Sequence, residues 1–311
     1  MRGRLILPAL GYAAGDLAIG FGRALGFPIR TLGNRAMRSS VEAGVGYHES
    51  IWEVYRSYLR GKRPARVCEV GPGDSIGMSV MFAAGGARSV TFVDRFVIRT
   101  ADCDDEICER LFERHKDALA PDYASLDDVD RVTELIHRKP AERYFGESTG
   151  AFDFICSNAV LEHLDDPIAA LTLMHATLAP GGTMVHVVDL RGLGLFEKEG
   201  PLAWLETPPW LHRQMRRNTA RANRVLFDHY RHWAAAHPGA DIHVRHLVGS
   251  SHDFNGTPLA ELPREDLAQA CARIEASRGN FTPSLGEVAS EDLAIAAFIL
   301  VLHKEETDSL R

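Results

Sequence analysis

The chain has 311 residues, 45% of them apolar and 25% charged, which is the balance of a soluble globular protein and excludes a disordered, collagenous or polytopic membrane chain. Its net charge of -7 opposes a protein that coats nucleic acid over its whole surface. The cysteines, Cys68, Cys103, Cys108, Cys156 and Cys271, are odd in number and form no CxxC pair, which excludes a disulfide framework and a cysteine-built zinc site and fits a reducing cytoplasm.

The first segment needs its own reading. Met1 to Arg4 are basic, and Leu5 to Phe27 are mostly apolar or small. A membrane span needs about 20 uninterrupted apolar residues, and Pro8, Asp16 and Arg23 break the run. No A-x-A cleavage site follows it, so a helix packed on the domain is expected. The alternatives are peripheral membrane contact through residues 1–28, with Arg2, Arg4 and Arg23 near anionic headgroups, and a cleaved signal. Residues 1–60 read as a helical extension. Its most periodic part is Tyr47–Leu59, where Ile51, Val54, Tyr55 and Tyr58 share one face.

From residue 61 short apolar runs alternate with helix-length segments. Arg66–Val70 reads as a buried strand, stopped by Gly71-Pro72-Gly73, and Ser75–Ala84 as a helix. Ser89–Val93 is a second strand ending at Asp94. Ala101–Leu119 is a helix whose acidic start, with Asp102, Asp104, Asp105 and Glu106, suits the helix dipole. Val132–Ile136, Phe152–Ser157 and Thr183–Leu190 are further strands, and Pro167–Leu178 is a helix closed by Pro180-Gly181-Gly182. Such alternation gives a parallel sheet with helices on both faces. The rhythm breaks over 191–238, a helix-rich stretch read as an insertion into the core. Strands return at Asp241–Leu247 and Ala294–Leu302, within a segment 239–311 that completes the core of 61–190.

The chemistry concentrates at Glu69-Val70-Gly71-Pro72-Gly73-Asp74-Ser75. A strand running into a glycine turn lets a ligand lie against the backbone, because Gly has no Cβ. Asp94, about 20 residues later at the end of the second strand, can accept two ribose hydroxyl hydrogen bonds. A dinucleotide fingerprint would want a third Gly where Ile76 stands. The pattern, with a carboxylate two residues before the first Gly, resembles the first motif of class I S-adenosylmethionine (SAM)-dependent methyltransferases, E/D-x-G-x-G-x-G, with Ser75 in the third glycine place. Three more segments are similar to the same family in order. They are Phe152-Asp153-Phe154-Ile155-Cys156-Ser157-Asn158-Ala159-Val160-Leu161-Glu162-His163-Leu164, then Leu178-Ala179-Pro180-Gly181-Gly182-Thr183, and the closing strand pair.

The resemblance implies a Rossmann-like, seven-stranded α/β sheet and SAM as cofactor. It implies that Glu69, Gly71, Pro72, Gly73 and Ser75 face the methionine end, and that Asp94 holds the ribose with Arg95 or Phe96 beside the adenine. Ala141 and Glu142 would meet the adenine edge, and Ser157 and Asn158 would line the transfer site. Methyl transfer is an in-line displacement, so alignment contributes most, and a base is needed only for a hydroxyl or a protonated amine. Asp189, at the end of strand five, is the candidate base, with His186 or His163 beside it. Asp165 and Asp166 read as a cap for the helix opened by Pro167, so no metal is expected.

The insertion holds Trp204, Trp210 and Trp233, together with Arg213, Arg216, Arg217, Arg221, Arg224 and Arg231. It reads as an acceptor lid, its arginines either solvated or meeting an anionic acceptor. The expected activity is transfer of a methyl group to a small molecule, on a hydroxyl of a saccharide-like or anionic metabolite. N-methylation, a protein or nucleic-acid acceptor, and SAM binding without catalysis are the alternatives. No nucleic-acid partner is expected, and nothing in the sequence sets the oligomeric state.

Overall fold

Five parallel strands form the centre of one sheet, and apolar runs supply them. A computed structural model describes residues 3–27, 39–96, 103–119, 121–148, 150–192, 195–196, 198, 200, 202–219 and 221–306; Arg2, Pro28, Ala101 and Asp102 lie outside these residues. The strands are β1 (Arg66–Val70), β2 (Ser89–Val93), β3 (Thr133–Ile136), β4 (Phe152–Asn158), β5 (Leu178–Asp189), β6 (Ala240–Leu247), β7 (Thr257–Pro258) and β8 (Ile295–His303). Their order is β3-β2-β1-β4-β5-β8-β6-β7. β1 is flanked by β2 and β4, both parallel to it, with Val70 opposite Val93 and Ser157. β8 runs antiparallel between β5 and β6. Among the described residues the sheet therefore has eight strands rather than the seven expected. The extra one is β7, two residues pairing with His243 and Val244, too short to leave any periodicity in the sequence.

The helices are α1 (Ile6–Ala24), α2 (Val41–Tyr58), α3 (Met78–Ala84), α4 (Asp104–His115), α5 (Leu126–Arg131), α6 (Ala141–Glu147), α7 (Pro167–Thr177), α8 (Pro209–Arg216), α9 (Phe227–Ala236), α10 (Arg264–Arg278) and α11 (Ser290–Ala294). A parallel sheet must be covered on both faces. On one face α2 to α5 bring Trp52, Tyr55, Phe82 and Leu111 against Val90, Phe92 and Phe154. On the other, α7 and α9 bring Leu171, Met174, Tyr230 and Trp233 against Ile155 and Phe298.

Local chemistry sets the helix ends. The Ser40 hydroxyl accepts from the Ala43 amide at 3.1 Å and opens α2. Of the expected cap pair, Asp166 accepts from the Ala169 amide at 2.9 Å and Pro167 takes the first turn of α7, whereas Asp165 pairs with Arg216 at 3.4 Å. Leu178-Ala179-Pro180-Gly181-Gly182 is an irregular lead-in to β5, where pairing with β4 shifts between Phe152–Leu178 and Phe154–Thr183. Among its described residues, the insertion 191–238 contains α8, α9 and a short 3-10 turn over Ala203–Glu206, and no strand. α1 packs against α8.

Candidate functional site

The carboxyl ends of β1, β2, β4 and β5 bring Glu69, Asp94, Asn158 and Asp189 to one edge of the sheet, the edge at which open α/β sheets take ligands. The turn after β1 is held by two left-handed glycines, both at φ +70. The Gly71 amide donates to the Val93 carbonyl at 2.8 Å, stitching β1 to the end of β2. A Cβ on Gly71 would lie 2.5 Å from Val160 Cγ2, so this glycine makes room for the chain itself, whereas a Cβ on Gly73 would meet nothing within 4 Å. Pro72 sits half-buried between them. The Asp94 carboxylate accepts from the Phe96 amide at 2.7 Å and from the Gly73 amide, and burial still raises its pKa. α3 begins at Met78, three residues beyond the expected start, and before it the Ile76 amide donates to Asp104 at 3.1 Å and the Gly77 amide to the Ser75 hydroxyl at 3.2 Å.

Ser75 is turned away from this edge. Its hydroxyl lies 2.9 Å from His48 Nε2 and accepts from the Gly77 amide at 3.2 Å. Burial pushes the His48 pKa down to about 3, so the ring is neutral. Close packing of α2 on the turn falls to Gly77, where a Cβ would come 2.6 Å from His48.

Glu69 is the most unusual group. It is buried, receives only a long hydrogen bond of 3.4 Å from the Tyr55 hydroxyl, and its Oε2 has no partner. Burial pushes its pKa up to about 8. A buried carboxylate wants a cation or donors, and a ligand carrying an ammonium group would supply them. Together the free Glu69 oxygen, the open space over Gly73 and the Asp94 carboxylate fit a nucleoside with a cationic tail. Asn158, on the same sheet face as Glu69, donates to the Tyr47 hydroxyl at 3.0 Å. Tyr47 and Tyr55 thus border the candidate site, and His48 holds the turn through Ser75; none of the three was foreseen. Their signal in the sequence is polar aromatic residues on the face of α2 that also carries Ile51.

The other expected residues divide. Ser157 and His186 are opposite each other in the β4–β5 pairing, 2.8 Å apart and buried, on the sheet face opposite Glu69 and Asn158. Burial pushes His186 down to about 3, and its Nε2 is unpartnered. Arg95 stands 3.7 Å from Asp165 and 5.4 Å from the Phe96 ring centre, while Arg23 of α1 lies 5.1 Å from that same ring. Ala141 is buried at the start of α6, and Glu142 accepts from the Asp166 amide at 3.1 Å, tying α6 to α7. His163 closes a 3-10 turn after β4, with its carbonyl 3.5 Å from Arg216.

At the end of β5, both Asp189 oxygens are held by Arg191, at 2.9 Å from Nε and 2.6 Å from Nη2. Beside it the buried Glu162, which the sequence reading passed over, accepts from the Asp189 amide at 3.3 Å. Burial raises Glu162 well above the usual carboxyl range, with a further push from Asp189, and its Oε2 is unpartnered. Arg191 also lines a cavity of about 200 Å³ between the sheet edge and the insertion, walled by Leu190, Leu202, Trp204, Leu205 and Phe227. Most insertion arginines are committed elsewhere. Arg216 and Arg221 donate to backbone carbonyls, Arg224 to the Thr207 and Trp204 carbonyls, and Arg231 pairs with Asp292 at 2.8 Å. Arg213 and Arg217 are exposed. Among the described residues, no group of three or more His, Cys, Asp or Glu could hold a metal ion.

Residues 50–254 match a family model described as a methyltransferase domain. Among solved structures, the chain is similar to the N-methyltransferase NodS from Bradyrhizobium japonicum WM9 in complex with S-adenosyl-L-homocysteine (SAH), at 19% identity over 47% of this chain and 62% of that one, with a TM-score of 0.30. It is similar to the plantazolicin methyltransferase BpumL in complex with SAH, at 11% identity over 97% of each chain and a TM-score of 0.43. It is also similar to an O-methyltransferase from Bacillus cereus in complex with SAH, at 12% identity over 94% of this chain and 91% of that one, TM-score 0.34. No curated protein matches the chain. With likenesses of this size, the family match carries the assignment.

Proposed function

The chain belongs to the methyltransferase-domain family, and from that premise we propose that it moves the methyl group of SAM onto a hydroxyl of a small molecule bound under the insertion 191–238. The observation that carries this reading is Glu69: a buried carboxyl with one unpartnered oxygen, beside a glycine turn open at Gly73. Glu69 would hold the ammonium of the methionine part, and Asp94 the ribose hydroxyls. SAM supplies an electrophilic methyl on a sulfonium. The chain's own residues supply alignment and exclusion of water, which are the main needs of an in-line displacement.

The finer reading concerns the acceptor. The cavity lined by Arg191 favours a molecule with an apolar body, against Leu190, Leu205 and Phe227, and a polar group near the Arg191–Asp189 ion pair. An unactivated hydroxyl does not ionise near neutral pH, so Asp189 would take its proton only as the new carbon–oxygen bond forms. His186, bonded to Ser157 on the sheet face opposite Asn158, would act by positioning.

Two measurements test the proposal. Calorimetry should show binding of SAM and SAH and none of NAD; NAD binding without SAM binding would refute it. Incubation with methyl-labelled SAM and a fractionated cell extract should place the label on a small molecule rather than on protein or nucleic acid.

A further inference from the structure

The N-terminal helix is amphipathic the wrong way round for water. Among the described residues, the large apolar side chains that are exposed are Ile6, Leu7, Leu10, Leu17, Phe21, Leu25, Phe27 and Trp210. Seven of them lie on α1 or at its ends, and the eighth is on α8, the helix packed against α1. Leu7 is 80% exposed and Phe21 67%. At helical spacing Leu7, Leu10, Leu17 and Phe21 share one face, with Ala14 also exposed between them. An apolar patch of this length on a soluble chain marks a surface that something covers.

The polar groups of α1 point inward instead. Asp16 is fully buried and accepts from the amides of Asn218 and Thr219, both at 2.9 Å, and from the Thr219 hydroxyl at 2.8 Å. Arg23 donates to the Asn218 carbonyl, and the Tyr12 hydroxyl accepts from the Phe196 amide at 3.2 Å. Gly20 lies so close to Asn218 that a Cβ would come within 2.6 Å. Gly3–Ala24, at 22 residues, is long and apolar enough to cross a membrane by length and composition. Yet its midpoint is tied to the protein by a buried carboxylate, which holds it lengthwise against the body.

We propose that this face docks the protein in the plane of an anionic lipid surface. Charge selects that occupant. The exposed residues Trp210 and Arg213 on α8 and Arg217 at its C-cap follow at i, i+3 and i+7, and Arg4 is exposed in the turn that precedes α1. Neither α8 nor the outward face of α1 carries an acidic residue, in a chain whose net charge is -7. Apolar side chains in one row, an interfacial tryptophan and arginines beside it match the acyl boundary, the headgroup level and the phosphates of a bilayer.

The test uses the full chain and vesicles that float in a density gradient. With equal parts phosphatidylcholine and phosphatidylglycerol, most of the protein should float, and pure phosphatidylcholine should carry at least about fivefold less. L17E/F21E should abolish flotation while thermal melting and SAH binding stay as in the unaltered chain. R213E/R217E should lose the preference for the anionic vesicles. Absence of flotation overturns the proposal, as does equal flotation of L17E/F21E. A dimer in light scattering that L17E/F21E dissociates, without lipid binding, would assign the face to a second copy. SAH binding measured alongside is unaffected by any of these failures, so the proposed activity stands or falls separately.

Discussion

The Tyr55 hydroxyl meets Glu69 at 3.4 Å where α2 crosses the end of β1, and it serves only one of the two carboxylate oxygens. The other is left for a ligand, in a place where burial has already moved the carboxyl to about 8. At neutral pH the empty site therefore favours the protonated acid, and a cationic ligand must expel that proton. Affinity for SAM should rise about tenfold per pH unit between roughly pH 6 and 7, since one proton is linked to binding. Calorimetry in two buffers of different ionisation enthalpy reads the released proton directly. Glu69→Gln should bind more weakly and lose the slope; an unchanged slope would show that Glu69 is not the linked group.

The same group makes a prediction about the ligand-free protein. Its folded pKa lies above the ordinary 4.5, so its contribution to stability is complete below that value and is lost as pH rises through about 8. The Tm of the unliganded protein should fall over that window, and Glu69→Gln should flatten the fall. An identical pH profile in the variant would contradict the assigned burial.

Asp94 accepts from the Phe96 and Gly73 amides, so its position is fixed before any ligand arrives. Asp94→Ala should weaken SAM and SAH binding by about 1.5–3 kcal/mol, the value of hydrogen bonds to a charged acceptor. Equilibrium binding to the two ligands is the measurement. A loss below about threefold would remove Asp94 from the site.

Gly71 combines φ +70 with a close approach to Val160. Gly71→Ala should cost about 1–3 kcal/mol of stability from the backbone alone, with a further cost from the contact. Adding Val160→Ala should restore the contact part and leave the backbone part. Denaturant titration of the single and double variants separates them. A Gly71→Ala protein as stable as the original would mean that this turn is not held in the left-handed region.

Asp189→Asn should lower kcat on the order of 10²-fold while SAM affinity stays nearly constant, if Asp189 takes the acceptor proton. Glu162→Gln is the companion variant, because Glu162 is buried against the Asp189 amide and shares its surroundings. An active Asp189→Asn enzyme with a log kcat flat from roughly pH 5.5 to 9 would leave alignment alone as the source of rate.

Much of the sheet is legible in the chain because buried parallel strands are near-continuous apolar runs: Arg66–Val70 and Ser89–Val93 are bounded in the structure as their composition suggests. β7 is not legible, since two residues have no period and its existence rests on pairing with β6. Asp94 and Glu69 stand out from their spacing around the glycines. The roles of Tyr47, His48 and Tyr55 come from how α2 crosses the turn, a packing relation that the polar aromatic face of α2 marks but does not place. Ser75 illustrates the converse: its place in the motif suggests a ligand, and a histidine 27 residues earlier takes its hydroxyl.

The tether at Asp16 also orders events in time. Its partners, Asn218 and Thr219, lie 202 and 203 residues further along the chain. At about 5–20 residues per second of synthesis, the helix waits on the order of 10–40 s before they exist. Through that interval the most apolar surface of the protein is out in the cell with a carboxylate at its middle and nothing to receive it. Whatever meets the nascent chain in that interval, a holding chaperone or the lipid surface itself, meets this helix before Asn218 and Thr219 have been made.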